Sequence, residues 1–592
     1  MSRRPPRFLI GIDLGTTNCV LACADTAAPD APLEVVPVPQ VVAPKQVDAR
    51  EALPSFLYLA SPEEQGALDL PWERGRDFAV GAYARDRGAE VPARLVASAK
   101  SWLCHAGVDR TAAILPWGAD ADARCISPLD ASATYLRHLR DGWDATRAHG
   151  DPSARLAAQE IYLTVPASFD ASARELTVRA AGEAGLEHVV LLEEPQAACY
   201  AWIAGTGEAW RRQVRVGDVI LVCDVGGGTT DLSLIAVTEE DGALALRRVA
   251  VGDHILLGGD NMDLALAYVL RERLAARGTA LDDWQLRGLV HACRGAKERL
   301  LGDAPPERVP LAVLGRSRRV VGGALKVELT RADAEEILVD GFLPRADADA
   351  RPQRTRRVGL QEMGLPYAAD ARLTAHLAEF LGRHADARPT AMLFNGGVFN
   401  AAAMRTRVLE VVRQWLGADV RELTGAHLEQ AVARGAAYHG LARRGRGLRI
   451  RGGTARAYYI GVEVAMPAVP GVPPPMKAVC VVPRGMEEGT EADLPRQEFG
   501  LCVGEPAEFR MFGSSTREGD ALGAELERAN GELEELAPLV TTLPWPAHEG
   551  TVVPVRLHVH LTEIGTLELW CVARDGARRW KLEFGVRAPD PI

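Results

Sequence analysis

Apolar positions along the first three quarters of this chain recur with two different periods. Runs of Val, Ile and Leu that stop abruptly read as buried strands: FLIGID and the apolar run after it (residues 8–23), IYLTVPASF (161–169, stopping at Pro166), VILVCDV (219–225) and AMLFN (391–395). Helical spacing takes over in ASARELTVRAAGEAGL (171–186, stopping at Gly185), between 261 and 301, in MRTRVLEVVRQWL (404–416) and in GAHLEQAVARGAAYHGLA (425–442), the last rich in small residues that permit close packing. VVLLEEPQAACYAWIAG (189–205) combines a strand, an acidic turn and a helix. This alternation predicts an α/β domain over 7–442.

Periodicity disappears in RRGRGLRIRGG (443–453), which predicts an interdomain linker. Beyond it the pattern changes to short alternating segments between turn signals, from YYIGVEVAM to RRWKLEFGV, predicting a small antiparallel β-sandwich over 454–588. One stretch inside it, ALGAELERANGELEEL (521–536), reads as a helix or a polar loop. No helical pattern follows the sandwich before the chain stops at APDPI.

Two segments share one design, FLIGIDLGTTNCVLAC (8–23) and VILVCDVGGGTTDLSLIAV (219–237). In each a strand ends in Asp (Asp13, Asp224), Gly and Thr follow, and a second apolar strand begins. Gly15, and Gly226, Gly227 and Gly228, allow a tight turn in which successive N–H groups point into a concavity suited to phosphate. Thr16, Thr17, Thr229 and Thr230 add donors, and the strand-end carboxylates suit the water shell of a Mg²⁺ ion. One such turn alone is a hairpin corner; two facing each other would clamp a polyphosphate. The G-x-x-x-x-G-K-[ST] loop is missing, and the turn leads into a strand where a dinucleotide fingerprint would start a helix. A third block, AMLFNGGVFN (391–400), runs into Gly396 and Gly397, where a purine and ribose could approach the backbone.

At 592 residues with 47% hydrophobic and 25% charged content, the chain is an ordinary globular one, with room for roughly three or four domain-sized units. A formal net charge of −11 argues against nucleic acid as the main partner. The first apolar run contains Asp13, so it reads as a strand and not a signal peptide, and no long uncharged stretch suggests a membrane span. The ten cysteines are scattered without a C-x-x-C pair, as in a reducing cytoplasm. Cys19 and Cys23 fall on one strand face but lack a second ligand pair for a metal. His558 and His560 alternate with apolar residues as solvent-side positions of a half-buried strand.

The three blocks, in this order, resemble the actin-like ATPase fold, a duplicated ribonuclease H-like architecture of two lobes. With a β-sandwich after a linker, the chain is similar to the heat-shock seventy-kilodalton (DnaK-type) chaperone family. IGIDLGTTNCV and VCDVGGGTTDLSLI are close to its two phosphate segments, with Thr230 where Phe is usual. LTVPASFDASARELTVRAAGEAGLEHVVLLEEPQAA looks like its connecting segment, and GDHILLGGDNMD like its Gly-Gly-acid loop with one residue inserted.

The resemblance implies ATP or ADP with Mg²⁺ as cofactors, and hydrolysis of ATP. Gly15, Thr16, Thr17 and Asn18 would form the first phosphate loop, Gly226, Gly227, Gly228 and Thr229 the second, with Gly258, Gly259, Lys297, Gly396 and Gly397 completing the nucleotide site. Asp13, Asp224 and Glu194 would hold the Mg²⁺ waters and Lys100 would approach the γ-phosphate. Thr229 would position the attacking water and Asp231 tune it. Pro166 and Arg174 match positions that relay nucleotide state; without the family they read as a strand stop and a surface salt bridge. Unfolded or extended polypeptide is the implied partner, with co-chaperones of nucleotide-exchange or J-domain type, in a cytoplasmic monomer without nucleic acid or membrane.

The departures are specific. In HACRGAKERLL (291–301) Arg294 and Glu298 exchange the usual acid and base, a swap that keeps an ion pair across one helical turn. Asn400 stands where an arginine is usual. The family's apolar linker is replaced by an Arg and Gly run with Leu448 and Ile450 as its only apolar residues, and no lid is expected over the β-domain. Rival readings are a sugar or small-molecule kinase of the same fold, and a nucleotide-gated scaffold for one dedicated partner.

Overall fold

The computed structural model describes residues 6–585 apart from 314–324, 354–363, 466–474, 528–532, 544–550 and several shorter stretches and single positions. The chain divides into two compact units. The first comprises Met1–Ser168, Leu176–Leu246 and Ala250–Arg449; the second comprises Phe169–Glu175, Arg247–Val249 and Ile450–Ile592.

The first unit is built twice on one plan. Its first sheet contains β1 (Phe8–Leu14), β2 (Asn18–Asp25), β3 (Leu33–Val35), β4 (Ala52–Pro54), β5 (Glu160–Val165) and β6 (Val189–Glu193), in the order β6-β5-β1-β2-β3 with β4 also on β2. Its second contains β7 (Val219–Val225), β8 (Thr230–Glu240), β9 (Ala243–Val251), β10 (Ala391–Asn395) and β11 (Arg421–Glu422), ordered β11-β10-β7-β8-β9. In each, the central strand pairs antiparallel with the next strand across the Gly-Thr turn and parallel with a later strand on its other side. The registers correspond: Asp13 lies opposite Thr164 of β5, and Asp224 opposite Asn395 of β10. The central strands are apolar on both faces because both are covered, with Ile10, Ile12, Ile220, Leu221 and Val222 at 0% exposure.

The helices that serve the site are α1 (Ala99–Leu103), α2 (Ala171–Glu183), α3 (Glu194–Thr206), α4 (Gly259–Ala276), α5 (Asp283–Leu300), α6 (Ala402–Leu416) and α7 (Ala431–Arg443). The helical pattern between 261 and 301 thus resolves into two helices, the second started by Asp282, whose side chain accepts from Gln285 N. α7 begins later than the pattern from 425 predicts, after a hydrogen-bonded turn from Gln430 N to His427 O. α3 and α7 follow the last strands of their sheets and pack on each other. A Cβ at Gly435 would stand 1.7 Å from the Ala197 carbonyl oxygen, so only glycine permits this approach.

The second unit is all β in its described C-terminal part. One sheet orders Glu525–Leu526, Met476–Val482, Ala457–Glu463, Met511–Ser514 and Glu534–Glu535. Another orders Thr490–Asp493, Thr551–Leu561, Thr566–Ala573 and Arg579–Gly585, with Phe499–Val503 also on Thr551–Leu561. Alternate residues of both sheets, among them Tyr458, Ile460 and Val479 with Val559, Leu567 and Leu582, meet in one buried cluster. The helix expected over 521–536 is not formed in its described part: Glu525–Leu526 and Glu534–Glu535 are short strands. Pairing with Met476–Val482 and Met511–Ser514 overrides the helical propensity of the Glu and Leu run. Within the expected linker, α7 reaches Arg443, and Ile450, only 3% exposed, starts a two-residue strand; Leu448 lies outside the described residues.

Candidate nucleotide site

The repeated registers bring the two Gly-Thr turns to one cavity of about 360 Å³. Asp13, Thr16, Thr17 and Asn18 line it from the first sheet, and Asp224, Gly226, Gly227 and Thr229 from the second. The turns touch: a Cβ on Gly227 would stand 1.7 Å from Thr17 Oγ1. That hydroxyl oxygen is buried without a hydrogen-bond partner in the protein, as a donor kept for an incoming acceptor would be. The Gly-Gly loop is bonded to the second turn, with Gly259 N donating to Gly226 O (3.0 Å) and Asp260 N to Gly227 O (2.7 Å). Gly258 and Gly228 sit behind these turns, while Gly259, Gly396 and Gly397 reach the cavity wall.

Acid chemistry concentrates at the base of the cavity. Lys100 on α1 and Glu194, the first residue of α3, form a 2.5 Å ion pair with both side chains buried. Asp224 Oδ2 accepts from Asn395 Nδ2 (2.7 Å), and Asp13 Oδ1 is 3.4 Å from the Thr164 hydroxyl. Asp231 lies beneath the wall, 4% exposed, and accepts from Ser168 Oγ (2.5 Å) and from the Thr229 side chain. Burial, then the charge of Glu194, push Asp13 up to about 7, against the opposing pull of Lys100. The same two causes raise Asp224, and burial raises Glu194 and Asp231. Burial disfavours the charge on Lys100, but Glu194 and Asp13 outweigh it, so the lysine stays protonated. Three buried carboxylates, Glu194, Asp224 and Asp231, and the half-buried Asp13 share one lysine; this excess negative charge is what a hydrated divalent cation would neutralise, so the residues fit Mg²⁺.

The opposite end differs from the sequence expectation. Arg294 on α5 directs its guanidinium to α4, at 2.5 Å from Asp260 and 2.9 Å from Asp263, and forms no ion pair with Glu298 one turn along its own helix. Lys297 pairs with Asp263 (2.6 Å) and donates to Gly259 O (2.9 Å), holding the Gly-Gly loop. Glu298 lines the cavity, raised in pKa by burial, and Asn400 donates to Glu429 (2.6 Å).

Lys100 is thus not a solvated helix lysine, and Arg174, 1% exposed with its Nε on the Phe169 carbonyl (3.2 Å), is not a surface salt-bridge residue. Pro166 and Arg174 do not line the cavity. Sequence reading missed Thr164 and Asn395, each the residue opposite a strand-end Asp, and Ser168, Asp260 and Asp263. The signal for the first two was positional: Asn395 ends its parallel strand just before Gly396, and Thr164 is the penultimate residue of its strand, two before Pro166.

Comparison with known proteins agrees with this architecture. Residues 119–348 match the model of the Hsp70 protein family. The chain is 31% identical over 311 residues to Chaperone protein HscA of Salmonella paratyphi C, covering 52% of this chain and 44% of that protein. It is 30% identical over 374 residues to Chaperone protein HscA homolog of Pseudomonas aeruginosa, covering 60% and 50% respectively. The chain therefore spans about half the length of these curated relatives. The chain is thus similar to the Hsp70 protein family over residues 119–348 and to HscA chaperones over about half of their length, a likeness that implies the actin-like ATPase fold and agrees with the duplicated sheets and the shared cavity.

Proposed function

We propose that the first unit binds ATP with Mg²⁺ and hydrolyses it to ADP and phosphate, and that the second, a small β-sandwich, binds unfolded or extended polypeptide. The observation that carries this reading is the pair of facing Gly-Thr turns over four clustered carboxylates, three of them buried, and Lys100. Backbone N–H groups of the turns and the unpartnered Thr17 hydroxyl hold the phosphates. Asp13, Asp224 and Glu194 would hold Mg²⁺ through its waters, and the ion would supply positive charge to the phosphate oxygens. Lys100 exchanges Glu194 for the γ-phosphate as ATP enters. Thr229 orients the attacking water, and Asp231, held by Ser168, keeps Thr229 in place. The water oxygen bonds to the γ-phosphorus as the bond to the β-bridging oxygen breaks, and positioning and charge supply the rate.

Lys297, with Gly258, Gly259, Gly396 and Gly397, holds the nucleoside end, where Arg294, Glu298 and Asn400 set the base contacts. Pro166 and Arg174 relay nucleotide state to the peptide-binding unit. Paired antiparallel strands suit extended peptide, which adds to a sheet through backbone hydrogen bonds. We further propose a monomer acting in the cytoplasm with co-chaperones; no described helix is long and apolar enough to cross a membrane. Phosphate release measured with and without an unfolded peptide tests the proposal: ATP turnover that rises with peptide is expected. Turnover absent with ATP but present with a sugar acceptor would instead assign the kinase reading.

A further inference from the structure

A second cavity of the first unit, about 500 Å³, lies between the segment LDLPWERGRDF (68–78) and the helix Pro128–Trp143. Trp72, Arg76, Phe78 and His138 line it. Arginine is almost never fully buried unless paired, yet Arg76 is 4% exposed and donates no hydrogen bond. Its Nε and Nη1 are buried without an acceptor. Glu73 Oε2 stands 3.1 Å from Nε without forming a hydrogen bond, and Glu73 itself is exposed. The guanidinium lies over the Phe78 ring, 4.4 Å from its centroid, a contact that leaves the N–H groups in the plane unused. Burial opposes the charge of Arg76 and outweighs the pull of Glu73.

His138, also 4% exposed, offers the opposite valence. Its Nε2 lies 3.0 Å from the Pro39 carbonyl oxygen, which only accepts, so the proton of the neutral ring sits on Nε2. Nδ1 is then a bare lone pair, buried without a donor. Two further groups can receive a donor. Asp141 gives Oδ1 to Arg140, and Asp144 gives Oδ1 to Leu156 N (2.8 Å), so each keeps one oxygen outside any hydrogen bond to the described residues. Unpaired buried donors and an unpaired buried acceptor on one cavity wall cost stability unless something with the complementary groups occupies the space. The charges around the cavity balance, with Arg76, Arg137 and Arg140 against Glu73, Asp141 and Asp144. A neutral balance suits a ligand whose own charges cancel and disfavours a phosphate dianion.

We propose that this cavity binds a free zwitterionic α-amino acid with an apolar side chain. The fork of Arg76 takes the planar carboxylate. His138 Nδ1 and the spare oxygens of Asp141 and Asp144 take the ammonium, and the apolar side chain lies against Trp72.

L-phenylalanine, L-leucine and L-methionine are the probes, titrated calorimetrically into the full chain. At least one should bind, and Arg76→Met should weaken it roughly tenfold to a hundredfold, the scale of a hydrogen bond to a charged group. Its N-acetyl and carboxamide forms, each lacking one charge, should bind roughly tenfold weaker or worse on the same scale. Asp144→Asn, whose side-chain oxygen can still accept from Leu156 N, should weaken the amino acid but not its N-acetyl form. Without ligand Arg76→Met should melt no lower than the parent, because an unpaired buried charge is gone. Hydrogen exchange at saturation should slow within 69–78 and 134–145. No binding of any of the three up to about 10 mM, the edge of measurable affinity, overturns the proposal. So do equal binding of the N-acetyl form, unchanged binding by Arg76→Met, protection confined to other segments, or a lower melting temperature in Arg76→Met, which would mean that the protein itself satisfies the arginine.

Discussion

Asp13, Glu194, Asp224 and Asp231 repel one another in a buried site, which no stability requirement explains but a cationic ligand does. Asp13→Asn or Asp224→Asn should therefore cut phosphate release by roughly 10² or more, the scale of a lost electrostatic contact at a reacting phosphate. The same variants should melt higher than the parent without nucleotide, because one repelling charge is gone. A parental rate in both would place hydrolysis elsewhere. Lys100→Ala leaves Glu194 buried without its 2.5 Å partner, so it should lower the melting temperature of the free chain. Its turnover should fall far more than its ATP affinity, measured as kcat against Kd, because the lysine charge acts on the departing γ-phosphate. His138 tests the pH dependence of the scaffold. Burial, then nearby Arg76, push it down to about 3 from 6.5, although its Nε2 lies 3.0 Å from the Pro39 carbonyl. Between those values the unfolded chain binds the proton and the folded chain does not, so stability is full above pH 6.5 and is lost as pH falls toward 3. The slope is up to about 1.4 kcal/mol per pH unit, and His138→Gln should show a correspondingly flatter acid limb in melts taken across that window.

The elements of the first unit were legible where they were short and strongly patterned. A strand ending in Asp, a Gly-Thr turn and a second strand form an arrangement that local sterics and hydrogen bonding determine, and both copies pair in the same register. The 521–536 run misled because helical propensity there is weak compared with pairing along a sheet edge that the run itself cannot reveal. Small residues in α7 announced close packing without naming its partner, which is α3. Gly435→Ala should force these helices apart at Ala197 and cost about 1–3 kcal/mol by overpacking, seen as a lower melting temperature with the nucleotide affinity reduced only in proportion to unfolding.

For the whole molecule, the proposed function requires coupling between nucleotide and peptide through a two-state element that both ligands bias. Ile450 lies at the junction of the two units in sequence and is 3% exposed, so it is the apolar linker residue to test. Ile450→Asp should abolish peptide stimulation of phosphate release while leaving the basal rate, provided melting shows the first unit intact; stimulation retained at the parental level would make the Arg and Gly run a passive tether. From the sequence alone came the α/β and all-β parts, the duplicated Gly-Thr turns and their strand-end acids, because each is written in a few neighbouring residues. Only the tertiary structure decided that Lys100 meets Glu194 across 94 positions, that Arg294 turns to Asp260 and Asp263, that Thr164 and Asn395 support the paired acids, and that Ser168 lies between Asp231 and His254. Those pairings depend on which side chains the fold brings within hydrogen-bond range, and neither periodicity nor spacing along the chain encodes that proximity.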